Sequence, residues 1–280
     1  MNNSPQSSHA SLTGQTVMVT GSSKGIGRAI AIEFARQGAN LIVHGRTASD
    51  PLLKTVDIIK SLGVDCQILL ADFTDNPDWS SIVGEAWQWK DGVDHWINNA
   101  GGDVLTGEWS DRDLEDKLRY LLQVDVTASL MLSKSVGSRM VDRWQGDSSA
   151  ADDQDASRRS QDTSQTILNV GWDQAWQGMA GTSGELFATT KGAIMSMTKS
   201  LAQSLAPSVR VNCIAPGWIK TEWGEQASDY WNQRAKSESL MHRWGTPQDI
   251  ANVAAFLSSD AASFITGHLV PVNGGFKFGE

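Results

Sequence analysis

The sequence predicts an α/β protein built on a doubly wound parallel sheet of about seven strands, with helices on both faces, in a single domain. Three observations lead there. Short β-rich runs alternate with helix-length segments along the whole chain. Several of these runs are continuously apolar, as strands covered on both faces of a parallel sheet must be. The first run passes directly into a glycine-rich turn that opens a helix.

The strand-like runs are Thr16–Thr20, Leu41–His44, Cys66–Ala71, His95–Ile97, Ile167–Val170, Arg210–Ala215 and His268–Val272. Between them, Ile26, Ile30 and Phe34 share one helical face, and so do Ile194, Met197, Leu201 and Leu205. A length of 280 residues, 40% apolar and 20% charged, suits one large core. The domain is expected over residues 12–280. Residues 1–11 are polar, carry no secretory h-region and are expected to be disordered. Residues 146–165 are rich in Ser, Asp, Gln and Arg and cannot bury enough apolar surface to order themselves. They are read as a disordered surface insertion between a helix ending near Met140 and the strand at Ile167.

A formal net charge of −9 argues against a nucleic-acid face, which needs clustered cations. No apolar run approaches the roughly 20 residues that span a bilayer. Cys66 and Cys213 lie in strand-like runs and are read as buried free thiols, with no metal site expected. A cytoplasmic location follows as the default.

The turn Thr20-Gly21-Ser22-Ser23-Lys24-Gly25-Ile26-Gly27 has the strand–turn–helix setting of a pyrophosphate site. Glycine admits positive φ and lets backbone N–H groups approach the ligand closely. The helix N-terminus adds partial positive charge.

The spacing Gly-x-x-x-Gly-x-Gly resembles the short-chain dehydrogenase/reductase family, in the general pattern of its 3-oxoacyl-carrier-protein reductase type. Further matches follow in the family's order. They are Asp72, Asn98-Asn99-Ala100-Gly101, Lys191, Pro216-Gly217-Trp218-Ile219-Lys220-Thr221, Arg243-Trp244-Gly245-Thr246-Pro247, Thr266-Gly267 and Asn273-Gly274-Gly275. The resemblance spans about residues 13–276. It implies a Rossmann-type fold and a nicotinamide dinucleotide. Gly21, Ser23, Lys24, Gly25, Ile26, Gly27, Arg46, Thr47, Asp72, Phe73, Asn99, Ala100, Gly101, Lys191, Pro216, Gly217, Ile219 and Thr221 would bind it. An acidic residue ending the second strand would repel a 2′-phosphate; here that strand ends His44-Gly45-Arg46-Thr47. Arg46, with Lys24 nearby, favours NADP(H) over NAD(H).

The resemblance also implies a catalytic tyrosine, a lysine four residues later, a serine about 13 residues earlier and an asparagine in the preceding long helix. This chain departs at three of the four. Phe187 stands at the tyrosine position, Asp125 at the asparagine and only Lys191 is retained. Counting back 13 residues from Phe187 gives Gln174, whereas alignment on Asn169-Val170 gives Trp172; neither is serine. Losing a positioned acid typically costs about 10²–10⁴-fold in rate. Asp173, Asp125 and Glu185 are the candidate replacement acids, and Tyr230 could reach the site from a lid.

The chain has 12 tryptophans. Trp172 and Trp176 follow the fifth strand; Trp218, Trp223 and Trp231 follow the sixth, in a segment about 218–245 read as a lid. They would either line an aromatic pocket for a hydrophobic or aromatic small molecule, or pack a lid helix or fill the cleft. Two functions stay open: an NADP(H)-dependent oxidoreductase with altered catalytic residues, or a non-catalytic NADP(H)-binding sensor or scaffold. The family's pattern further implies a homodimer or homotetramer, paired through helices at about Leu114–Met140 and Ala188–Leu205.

Overall fold

The computed structural model describes residues 12–75, 77–149, 165–225 and 227–276, apart from the side chains of residues 147–149, 223 and 225. The seven strands are β1 (Thr16–Val19), β2 (Asn40–Gly45), β3 (Cys66–Leu70), β4 (His95–Asn98), β5 (Thr166–Val170), β6 (Arg210–Pro216) and β7 (Leu269–Val272). They form one sheet in the order β3-β2-β1-β4-β5-β6-β7, and every pairing is parallel. The expected fold class and single domain hold.

Alternation along the strands sorts side chains to two cores, because successive Cβ atoms point to opposite faces. Val17 and Val19 of β1 face α1 (Gly25–Arg36), α2 (Asp50–Ser61) and α10 (Pro247–Ser258). Met18, between them, faces α3 (Trp79–Gln88), α5 (Ala128–Ser149) and α7 (Thr182–Leu205). Ile30 and Phe34 of the expected α1 face are fully buried. On α7, Ile194 and Leu201 are buried, with Met197 and Leu205 packed beside them.

The helix before β5 starts as α4 (Leu114–Leu121) and passes through a π-helical segment, Leu122–Thr127, into α5. It does not end near Met140 but runs to Ser149. The apolar stripe stops at Met140, yet Arg143 holds the next turn. Its guanidinium donates to Asp91 O, Val93 O, Asp94 Oδ1 and Gln165 Oε1. The expected insertion is therefore shortened at both ends: 146–149 are helical, and Gln165 is buried and donates to Met140 O. The rest of it, 150–164, and the N-terminal 1–11 lie outside the described residues. Cys213 is buried as expected, whereas Cys66 is half-buried; both are free thiols.

After β5 come a short helix α6 (Gln174–Gln177) and then α7; after β6 come α8 (Glu222–Glu225) and α9 (Asp229–Glu238). No helix among the described residues is long and apolar enough to cross a membrane.

Candidate active site

In this strand order the chain reverses direction across the sheet between β1 and β4, which opens a crevice at their C-terminal ends. Thr20 and Asn99 join the two strand ends there. Thr20 Oγ1 accepts from the N–H groups of Asn99 and Ala100, both at 2.9 Å. Asn99 Nδ2 donates to Thr20 O and Gly21 O. The glycines are required by space as well as by φ. A Cβ on Gly21 (φ +63°) would sit 2.8 Å from Ala100 Cα, and one on Gly27 2.3 Å from Gly21 O and 2.4 Å from Asn99 Nδ2. Gly25 has φ +58°. No side chain caps the first turn of α1, so its N–H groups remain open to an anion. This glycine-rich cradle, with an uncapped helix N-terminus, fits a dinucleotide pyrophosphate.

His44, at the end of β2, braces the cradle. Its Nδ1 accepts from Gly21 N–H at 3.0 Å, its Nε2 faces Ala71 O at 3.1 Å, and its ring stacks on Phe73. Burial pushes the imidazole down to about 4, so it is neutral at pH 7 with its proton on Nε2. Sequence reading passed over this residue, although its place beside Gly45-Arg46 marks it.

Two cavities flank the cradle. The first, about 640 Å³, brings together Gly21, Ser23, Lys24, Arg46, Thr47, Asp72, Phe73, Asn99, Ala100 and Gly101, all expected, with His44, Trp109 and Tyr120 added. Trp109 and Tyr120 stack with ring centroids 4.1 Å apart and wall its outer side. Arg46 is exposed at the mouth. Lys24 is exposed too, but its Nζ pairs with Glu222 at 2.8 Å. Asp72 Oδ1 accepts from the backbone and hydroxyl of Thr74, which fixes the loop after β3.

The second cavity, about 520 Å³, shares Asn99 with the first and holds Ile26, Lys191, Pro216, Gly217, Ile219 and Thr221. Thr221 also packs beside Gly25, whose added Cβ would lie 3.5 Å from Thr221 Cγ2. Lys191 Nζ lies 3.0 Å from Asp125 Oδ2, with side-chain exposures of 15% and 0%. The approach is off the hydrogen-bonding direction, so this oxygen has a charge contact but no aligned hydrogen bond. Asp125 Oδ1 accepts from Gly102 N–H at 2.7 Å. The π-helical segment presents Asp125 to this spot, a common use of such bulges at functional sites.

Trp172 and Phe187 meet edge to face across the cavity, centroids 6.3 Å apart. Trp218 and Trp231 line it as expected, and Trp244, unforeseen, joins them. Trp218 Nε1 donates to Glu238, Trp244 Nε1 donates to Asn232, and Arg234 lies over both Trp218 and Trp231. These contacts hold α9 against the cavity. Trp218, Trp231 and Trp244 therefore pack the lid helix and still line a cavity rather than filling the cleft.

Other expected residues lie elsewhere. Trp176 is 53% exposed and Tyr230 64%, and neither lines the cavity. The Trp223 side chain lies outside the described residues. Glu185 is exposed. Asp173 and Gln174 are buried beside the cavity rather than in its lining. Asp173 Oδ2 accepts from Asn273 and its Oδ1 has no hydrogen-bond partner among the described residues; burial pushes this carboxyl up to about 6, against the opposing hydrogen bond from Asn273. Leu105, Met179 and Ser183 line the cavity without having been singled out. Helical spacing back from Phe187 would have found Ser183.

Comparison with known proteins agrees with this architecture. Residues 15–148 match the family model described as short chain dehydrogenase, and residues 153–277 the one described as enoyl-(acyl carrier protein) reductase. The 3-oxoacyl-[acyl-carrier-protein] reductase FabG of Aquifex aeolicus is 31% identical over 268 residues, 94% of this chain and 98% of that protein. A 7α-hydroxysteroid dehydrogenase complexed with NADH and 7-oxo glycochenodeoxycholic acid superposes with TM-score 0.80 at 29% identity, covering 97% of each chain. A 3-oxoacyl (acyl-carrier-protein) reductase from Agrobacterium tumefaciens C58 with NADP bound gives TM-score 0.78 at 26% identity, covering 95% of each. The chain belongs to the short-chain dehydrogenase/reductase family of NAD(P)-dependent oxidoreductases.

Proposed function

We propose that the protein is an NADP(H)-dependent oxidoreductase for a small apolar, ring-bearing substrate, working from a catalytic centre altered from the family pattern. The observation that carries this is continuity: the glycine cradle leads through Asn99 into the aromatic cavity that holds Lys191. Ser23, Lys24, Arg46 and Thr47 would hold the 2′-phosphate end, with Asp72 and Phe73 at the adenine. Asn99, Ala100, Gly101 and Lys191 would hold the nicotinamide ribose, and Pro216, Gly217, Ile219 and Thr221 the nicotinamide. When bound, the dinucleotide supplies a hydride. No carboxylate closes β2, and Arg46 stands in its place as a cation, which favours the phosphorylated cofactor.

In this reading Phe187 replaces the family's tyrosine, Trp172 its serine and Asp125 its asparagine. Asp125 gives Lys191 a counter-charge where the family has a neutral amide. A homodimer or homotetramer paired through the long helices at about Leu114–Met140 (α4 to α5) and Ala188–Leu205 (in α7) is the expected assembly, and a monomer in light scattering would overturn it.

The test has two arms. Tryptophan fluorescence titrated with NADPH and NADH should show tighter NADPH binding, lost on Arg46→Ala; tighter NADH binding would sink the preference. Phe187→Tyr combined with Trp172→Ser should raise reduction of simple ketones by about 10²-fold or more. NADPH binding without turnover of ketones, oxoacyl thioesters, enones or quinones would favour the sensor instead.

A further inference from the structure

Ser183, Phe187 and Lys191 stand at i, i+4 and i+8 on α7 and all three line the aromatic cavity. Next to Ser183, Gly184 lets the preceding loop fold tightly over the first turn, since a Cβ there would meet Met179 O at 2.3 Å. Met179 thereby walls the cavity beside Ser183. Most other polar groups of the cavity are committed, the Trp172 indole N–H apart. Lys191 is paired with Asp125, Asn99 Nδ2 with Thr20 O and Gly21 O, and Thr221 sits at the glycine-turn end. Ser183 and Thr221 carry the cavity's hydroxyls, and Ser183 Oγ makes no hydrogen bond among the described residues.

We propose that Ser183 is a substrate-binding hydroxyl, and that it donates to the far oxygen of a flat ring dione of the quinone class. This rests on the oxidoreductase reading above. Among the described residues, no carboxyl, phenol or imidazole lines the cavity. A simple ketone needs a proton at its oxygen as hydride arrives. A ring dione does not, because reduction makes the ring aromatic. The reduced nicotinamide dinucleotide is the co-reactant, oxidised as the dione is reduced. Hydride brings one hydrogen and two electrons to one oxygen, forming an O–H bond. The ring's electron pair moves out to the opposite oxygen, leaving a phenolate. A phenol of this kind has a pKa of about 10, as tyrosine does, so water completes the hydroquinone at neutral pH. The negative charge develops where Ser183 donates.

The cavity suits this substrate. Ser183 stands two helical turns before Lys191 on the same face, about 12 Å along the helix axis. That leaves room between the nicotinamide end of the cavity and Ser183 for a ring whose para oxygens are roughly 5 Å apart, with one hydrogen bond to the far oxygen. Trp172, Phe187, Trp218 and Trp231 supply flat apolar walls.

The experiment uses 1,4-naphthoquinone and a monoketone of the same ring size. Binding is read first without dinucleotide, by tryptophan quenching, and then NADPH-dependent reduction is followed. Wild type should bind and reduce the dione, with the monoketone reduced at least 100-fold more slowly. Ser183→Ala should weaken dione binding about ten-fold and lower kcat/KM by at least as much, while NADPH affinity stays unchanged. Ser183→Thr should recover part of both. Equal behaviour of Ser183→Ala and wild type, or equal turnover of monoketone and dione, overturns the proposal. Failure to bind NADPH at all overturns the oxidoreductase reading itself. NADPH binding with no dione binding overturns only the proposal.

Discussion

Replacing Asp125 by asparagine tests how the centre is held together. The carboxyl is fully buried, accepting from Gly102 N–H at 2.7 Å and lying 3.0 Å from Lys191 Nζ. Two unit charges at that distance attract by about 5 kcal/mol at an effective dielectric of 20. The carboxamide keeps the shape and can still accept from Gly102, but it removes the charge. Lys191, only 15% exposed, then has little water to replace its partner. Breaking one side of a buried pair typically costs about 3–5 kcal/mol. Lys191→Met should cost a similar amount, by leaving the carboxylate alone. The double variant should lose only about 1 kcal/mol, because both desolvation penalties vanish with the attraction. The assay is a double-mutant cycle by urea unfolding of NADPH-free protein, and the expected coupling is about 5 kcal/mol or more. On heating, each single variant should melt about 6–12 °C lower. Additivity of the two single losses within about 0.5 kcal/mol would refute the reasoning, since it would mean that the pair does not act as a unit.

Two further outcomes follow from contacts near the cradle and the cavity. Gly27→Ala must open the 2.3 Å contact with Gly21 O by about 1 Å, and a shift of that size can cost about 100-fold. NADPH affinity should fall by that order while far-ultraviolet circular dichroism stays native; a change under three-fold would show that the turn yields. Asp173, its carboxyl raised to about 6 by burial despite the Asn273 hydrogen bond, favours the protonated form in the folded protein. The stability it contributes is present below the unfolded value of about 4 and is lost as pH rises through about 6. Asp173→Asn should therefore be more stable than wild type at pH 8, on the order of 3 kcal/mol, with the difference shrinking below pH 5. A difference independent of pH in urea titrations would count against a buried carboxyl there.

Much of this was written in local patterns. Buried apolar runs and the glycine turn report on backbone physics within a few residues, so the sheet, its helices and the cradle followed from them. The ends of elements did not. The apolar stripe of α5 stops at Met140, but Arg143 continues the helix through acceptors on Asp91, Val93, Asp94 and Gln165, which are remote in sequence. Trp176 and Trp231 look alike in the sequence, yet one faces outward and the other lines the cavity, because only α9 is drawn inward by Trp218, Arg234 and Glu238.

The residues proposed for the catalytic positions, Phe187, Trp172 and Asp125, were legible one by one in the sequence. Their consequences were not. That Asp125 faces Lys191 at 3.0 Å, that His44 braces Gly21, and that Ser183 shares a cavity with Trp218 all depend on distances between segments 23 to 66 residues apart. Backbone conformation is set largely by neighbours along the chain. Charge pairing, desolvation and cavity shape are set by neighbours in space, and only folding brings those together.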